Sequence, residues 1–242
     1  MKREILGVKI DDIDKSEALA QVKDRLASGK KGYIVTPNPE IIMLAQADPS
    51  YKKVLNQAFL SLPDGIGVVL AGKILGESIK ERLTGVDFTS GLAALCAEHG
   101  FNLFLLGAAD NVSQKASEVL QKDFPGLNIA GTYSPDLIRE NHEKIMKRLN
   151  EQEIDVLAVA FGPPKQEQWI AENLAKLKVK IAIGVGGTLD FIAGEKPRAP
   201  SWLRTLGLEW LFRLGNEPTR WKRQLSLPQF ALRVFKEKFF PS

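Results

Sequence analysis

Five short apolar runs punctuate the chain, each closed by a turn signal. Tyr33-Ile34-Val35 leads into Thr36-Pro37-Asn38-Pro39, and Phe59-Leu60-Ser61-Leu62 into Pro63-Asp64-Gly65. Leu103-Phe104-Leu105-Leu106 leads into Gly107-Ala108, and Val156-Leu157-Ala158-Val159-Ala160 into Gly162-Pro163-Pro164. Ile181-Ala182-Ile183 leads into Gly184-Val185-Gly186-Gly187. Such runs, bounded by Gly and Pro, predict strands buried on both faces. Between them, apolar residues recur at helical spacing over 16–26, 113–120 and 136–149, and Asp14 with Glu17 forms a capping box before the first. The alternation predicts an α/β fold: a Rossmann-like, mostly parallel sheet with helices on both faces. Ligands of such sheets bind beyond the carboxyl ends of the strands. That rule places Thr36, Asn38, Asp64, Gly107, Gly162 and Gly186 on one rim.

The pattern changes at Glu195-Lys196-Pro197-Arg198-Ala199-Pro200, where two prolines and three charges within six residues mark a linker. The chain therefore divides into an α/β core, 1–195, and a helical appendage, 196–242, with helices expected over 202–214, 218–225 and 228–239. Charge changes at the same point. The appendage carries ten Lys or Arg against three Asp or Glu, and the core 23 against 26. Trp202, Trp210 and Trp221, three of the four tryptophans, also fall in the appendage. A basic, aromatic segment on a mildly acidic body points to an anionic partner: a phosphate-rich ligand, an anionic lipid surface or a nucleic acid. The acidic body and the lack of any nucleic-acid-binding motif argue against the last. Phe230, Ala231, Val234, Phe235 and Phe239 share one helical face, opposite Arg233, Lys236 and Glu237. This reads as a helix lying on a membrane surface, in preference to one packed on a partner or on the core.

The single cysteine, Cys96, allows no internal disulfide and fits a reducing compartment. The first ten residues lack the apolar core of a signal peptide. No run of roughly 18 apolar residues is long enough to span a bilayer. The expectation is a cytoplasmic protein that meets the membrane only peripherally.

Several motifs have two readings. Gly67 to Lys73 has the spacing of a phosphate-binding loop, but the next position is Ile74 where Ser or Thr is required, and the run is apolar and helix-like. Asp12-Ile13-Asp14 has the form of a metal-binding Asp-x-Asp, but the turn and cap already account for it. No set of His and Cys residues at metal-ligand spacing surrounds His99 or His142, so neither a metal centre nor a Ser/His/Asp triad is visible. The turn from Gly184 to Asp190 lacks the third glycine of a dinucleotide fingerprint, yet amides at such a helix start can hold a phosphate. Leu62-Pro63-Asp64-Gly65 is either an ordinary Asp-Gly turn or a general base at a strand end; Leu62, Ile66 and Val68 would supply the desolvation a base needs. Gly162-Pro163-Pro164-Lys165-Gln166-Glu167 opens a helix on the same rim, as a cap or as part of a site. Arg213, Arg220, Lys222 and Arg223 are either a solvated face or, set among aromatics, a phosphate clamp.

Taken together and in order, these blocks resemble the WecG/TagA/CpsF glycosyltransferase family. The resemblance spans nearly the whole chain and includes Arg82-Leu83-Thr84-Gly85-Val86-Asp87 and the segment from Arg198-Ala199-Pro200 to Arg223. It is strongest to members that move N-acetylmannosamine from UDP to lipid-diphosphate-linked N-acetylglucosamine, inverting to a β-1,4 bond. The resemblance implies a catalytic set of Asp64, Thr36, Arg213, Arg220 and Arg223, with Asp64 as base and the arginines on diphosphates. Thr36, Asn38, Arg82 and Gln166 would position the sugars; the strand-end rule and the glycine-rich turn, apart from the resemblance, add Gly107, Gly162, Gly186 and Asp190 as substrate-binding candidates. The resemblance also implies no metal and no cofactor, a UDP-sugar donor, an undecaprenyl-diphosphate acceptor, an anionic membrane surface under the appendage and a homo-oligomer. UDP-N-acetylmannosamine uronic acid and UDP-glucose remain alternative donors. A non-catalytic binder of nucleotide or anionic lipid is the competing reading.

Overall fold

The computed structural model describes residues 2–109, 111–135 and 142–240, with the side chain of each except Arg220. Strands β1 (Lys2–Ile5) and β2 (Val8–Asp11) form an antiparallel hairpin. Its two turn residues, Leu6 and Gly7, both have positive φ (51° and 75°), the twist that a two-residue hairpin turn demands. The other six strands are β3 (Gly32–Val35), β4 (Leu60–Ser61), β5 (Asn102–Gly107), β6 (Asn128–Tyr133), β7 (Val156–Ala160) and β8 (Ile181–Gly184). They form one sheet in the order β4-β3-β8-β7-β5-β6, and every neighbouring pair is parallel.

Period-two alternation divides the sheet's residues between two cores. Tyr33, Val35, Phe104, Leu106, Leu157, Val159 and Ala182 point to one face, where the hairpin adds Ile5, Val8 and Ile10. Ile34, Leu103, Leu105, Val156, Ala158, Ile181 and Ile183 point to the other. This is the doubly covered parallel sheet that the apolar runs predict. The capping box is present: Asp14 Oδ1 accepts from Glu17 N at 2.9 Å, and Glu17 Oε2 accepts from Asp14 N at 2.9 Å. Asp12 accepts from the Lys80 amide at 2.9 Å and pairs with Arg3. Gly67 to Lys73 lies inside helix Ile66–Leu75 and forms no phosphate loop.

Three expectations change. The helix expected over 136–149 is observed as His142–Asn150; positions 136–141 lie outside the described residues. The helix expected over 202–214 is two helices, Ser201–Thr205 and Glu209–Asn216. Gly207 breaks it with φ +73°, and its missing Cβ lets the backbone press on Ile66, where a Cβ would sit 2.7 Å from the side chain. The helical face assigned to a membrane surface is divided. Helix Ser226–Phe239 packs on helices Pro39–Ala47 and Ile66–Leu75, leaving Phe230 4% and Val234 1% exposed within the first core. Ala231, Phe235 and Phe239 stay on the surface. Phe230→Ala is therefore expected to destabilise the whole fold by about 3 kcal/mol, the usual cost of emptying a buried aromatic site. A fall in the melting temperature checks it; an unchanged value would mean that the last helix does not pack there in solution.

Candidate active site

A cavity opens at the carboxyl ends of β3, β4 and β8 and is roofed by the appendage. Its walls include Thr36, Asn38, Asp64, Arg82, Gln166, Gly186, Arg213 and Arg223 from the expected set. They also include Trp210 of the aromatic appendage, and Glu40, Phe191 and Glu209, which the sequence did not single out.

Asp64 is placed by backbone bonding. Leu62 N donates to Val35 O and Asp64 N to Pro37 O, both at 2.9 Å, so the loop after β4 lies alongside the loop after β3. Gly65 then turns at φ +89°, a conformation costly for any side chain, and starts helix Ile66–Leu75. Burial pushes the Asp64 carboxyl up to about 6. Arg213 pulls it back down, Glu209 pushes it up, and Arg82 and Asp87 act in these two senses more weakly. A buried carboxylate with its pKa raised to about 6 is suited to general base work.

Asn38 caps helix Pro39–Ala47 by accepting from Ile41 N at 2.9 Å through Oδ1. The same residue lines the cavity. Thr36, 6% exposed, lies at the end of β3. Thr84 caps helix Gly85–His99, and its hydroxyl also donates to Asp87 at 2.6 Å. Burial alone would raise the Asp87 carboxyl, but hydrogen bonds from Arg198 and Thr84 hold it below the usual carboxylate range.

The arginines come from the appendage. Arg213 donates to Glu209 Oε1 at 2.9 Å, one helical turn away, and its guanidinium lies 4.4 Å from the Phe191 ring centroid. Arg223 holds Glu40 in a two-pronged pair, 2.6 and 3.0 Å. The backbone of Arg220 closes the turn Pro218–Arg220, and its side chain lies outside the described residues. Arg198 to Asp87 (2.6 Å) and Lys196 to Glu217 (3.4 Å) tie down the linker.

Three expected residues do not line this cavity. Gly107 ends β5 at φ +99°, pressed against the Ala160 backbone, and its carbonyl accepts from Ser134. Gly162 lies beside the cavity with its amide bound to Gln166 Oε1 at 3.1 Å. Asp190 faces Lys196 at 3.9 Å. Gly186 does line the cavity, but its amide is also taken by Gln166 Oε1, at 2.9 Å, and so is not free for a phosphate. Glu209 had a local signal, its i, i+4 spacing from Arg213. Glu40 had none, since its partner is 183 positions away.

The sequence profile described as "Glycosyl transferase WecG/TagA/CpsF family" matches residues 3–242. The chain belongs to this family. Among its relatives, a protein from Bacillus spizizenii is 36% identical over 213 residues, covering 88% of this chain and 82% of its own length. One from Bacillus subtilis is 36% identical over 205 residues, covering 85% and 79%. One from Staphylococcus aureus is 33% identical over 239 residues, covering 98% and 93%. All three are named N-acetylglucosaminyldiphosphoundecaprenol N-acetyl-beta-D-mannosaminyltransferase. The family expectation of a glycosyltransferase on an α/β sheet therefore stands. No helix among the described residues is long and apolar enough to cross a membrane.

Proposed function

We propose that this glycosyltransferase moves N-acetylmannosamine from UDP to the 4-hydroxyl of N-acetylglucosamine-diphospho-undecaprenol, with inversion, in building the wall teichoic acid linkage unit. The observation that carries the reading is a carboxylate with its pKa near 6, Asp64, sharing one strand-end cavity with Arg82, Arg213 and Arg223. Inverting transfer requires that pairing. Asp64 takes the proton of the acceptor hydroxyl as its oxygen bonds to the sugar C1. The C1–O bond to UDP breaks, and its electron pair leaves on the diphosphate. The arginines stabilise that charge as it develops. Thr36, Asn38 and Gln166 flank the space for the two sugars.

The lipid acceptor gives the rest of the appendage a role. Trp202, Leu206, Trp221, Leu225, Leu232, Phe235 and Phe239 are exposed, among the lysines and arginines of the same segment. Such a surface suits the anionic inner face of a membrane, where aromatics enter the headgroup layer and basic residues meet lipid phosphates. The protein would then sit peripherally over its substrate.

The test is UDP release with N-acetylglucosamine-diphospho-undecaprenol in anionic vesicles, supplied in turn with UDP-N-acetylmannosamine, its uronic acid and UDP-glucose. Turnover with UDP-N-acetylmannosamine and formation of the disaccharide lipid are expected. Faster turnover with another donor would reassign the sugar. No turnover with any donor, with UDP still bound, would leave a binding protein.

A further inference from the structure

Behind the cavity wall, Gln166 is held by two buried groups, Glu167 and Tyr51, that the chemistry above does not use. Glu167 is fully buried, Gln166 is 2% exposed and Tyr51 is fully buried. Glu167 Oε1 accepts from Gln166 Nε2 at 2.7 Å, and Glu167 Oε2 accepts from the Tyr51 hydroxyl at 3.0 Å. Gln166 Oε1 accepts from two backbone amides, Gly162 N at 3.1 Å and Gly186 N at 2.9 Å. These glycines lie in the loops that follow β7 and β8. One side-chain carbonyl therefore joins two strand-end loops, and Gly186 lines the cavity.

We propose that Glu167 is a positioning residue: by taking the Gln166 amide nitrogen, it fixes the Gln166 carbonyl on both loops and so sets the spacing of the cavity floor. The chemistry has one self-consistent arrangement. An amide group has one acceptor end and one donor end. Two backbone N–H donors on one side require the oxygen there, and the NH2 must then find an acceptor inside the protein. Glu167 supplies it, and Tyr51, from helix Pro49–Asn56, holds the second oxygen. Burial raises the Glu167 carboxyl, so the group is anchored by these bonds and not by solvent.

Gly184 completes the arrangement from the other side. A Cβ there would lie 2.7 Å from Gln166 Nε2 and 3.0 Å from its Cδ. The Gln166 side chain lies flat on the bare Cα of β8. Gly184 is not among the positive-φ glycines, so alanine fits its backbone and disturbs only Gln166.

Because it concerns the floor of the proposed active site, this inference rests on the transferase reading for its effect on rate. The bracing itself is read independently, from hydrogen exchange of the Gly162 and Gly186 amides in the full chain by NMR. Glu167→Leu removes the acceptor, Gly184→Ala displaces the amide, and Glu167→Gln keeps both bonds by accepting from Gln166 and donating to Tyr51. In Glu167→Leu and Gly184→Ala, exchange at these two amides should accelerate about tenfold or more. UDP release should fall roughly tenfold to a hundredfold, the usual effect of a small displacement in a positioned site. Glu167→Gln should retain most of both. Unchanged exchange at Gly162 and Gly186 in the first two variants would overturn the proposal. So would accelerated exchange with full turnover, or a Glu167→Gln variant as impaired as Glu167→Leu. If Glu167→Leu does not fold, Gly184→Ala decides alone. A wild-type protein that transfers no sugar refutes the transferase reading, while the exchange measurement still decides whether the brace exists.

Discussion

Asp64→Asn is expected to abolish sugar transfer while leaving UDP binding nearly intact. Asparagine preserves the shape of the side chain at the strand end but cannot accept the acceptor's proton. A positioned general base contributes about 10² to 10⁴ in rate, so turnover should fall by that factor and the Kd for UDP should hardly move. The pH profile carries the same information. With its pKa raised to about 6 by burial, Asp64 is protonated and inactive below that point. Wild-type turnover should climb about tenfold per pH unit up to pH 6 and level off above it. Stability should respond in the opposite direction. The folded carboxyl binds its proton more tightly than the ordinary value of 3.8, so wild-type stability falls as pH rises from about 4 to 6. The asparagine variant lacks that loss. It should melt above the wild type at pH 7.5 and level with it near pH 4. Near-normal turnover in Asp64→Asn would remove Asp64 from the role of base.

Removing the charge of Arg213 should be almost as damaging and should leave a distinct signature. Arg213→Ala deletes a guanidinium of the cavity wall that, on the proposed mechanism, faces the developing charge, and losing one such donor lowers turnover by about 10² to 10³. Arg213 also pulls the Asp64 carboxyl down, against the dominant effect of burial. In Arg213→Ala the rising limb of the pH profile should therefore move to higher pH. Arg213→Lys keeps the charge but loses the planar contact with Phe191 and the guanidinium bond to Glu209. Its limb should stay close to wild type while its rate remains low. Identical pH profiles in the wild type and Arg213→Ala would separate this arginine from the base.

What the sequence revealed depended on how local the signal was. β3, β7 and β8 are buried on both sides, so their apolar runs stand out against polar surroundings. The hairpin strands and β6 were not read. Lys2–Ile5 turns only Ile5 fully into the core. The edge strand β6 is half exposed along most of its length and contains Gly131, which accommodates the Phe104 ring where a Cβ would sit 2.8 Å away. A strand with one covered edge and a glycine in its middle leaves no apolar run to find. In the site, residues at strand ends were legible because a strand followed by Pro, Gly or Asn announces its own end. Thr36, Asn38, Asp64 and Gly186 are of this kind. Pairings across the chain were not. Nothing in the order of residues joins Arg223 to Glu40, Arg198 to Asp87 or Arg213 to Phe191, because these contacts exist only once the appendage has packed on the core. Gln166 shows a third limit: spacing put it on the rim, but not the commitment of its oxygen to two backbone amides.

The packing of Phe230 and Val234 in one core with Ile42 also bears on synthesis. Contacts that join helix Pro39–Ala47 to the last helix must close a loop of most of the chain, the slowest kind of contact to form. On a ribosome, the sheet strands emerge long before the helix that covers helices Pro39–Ala47 and Ile66–Leu75. Until that helix arrives the growing chain has an unsealed apolar face and an unroofed cavity, so catalytic competence comes last, after translation has passed residue 234.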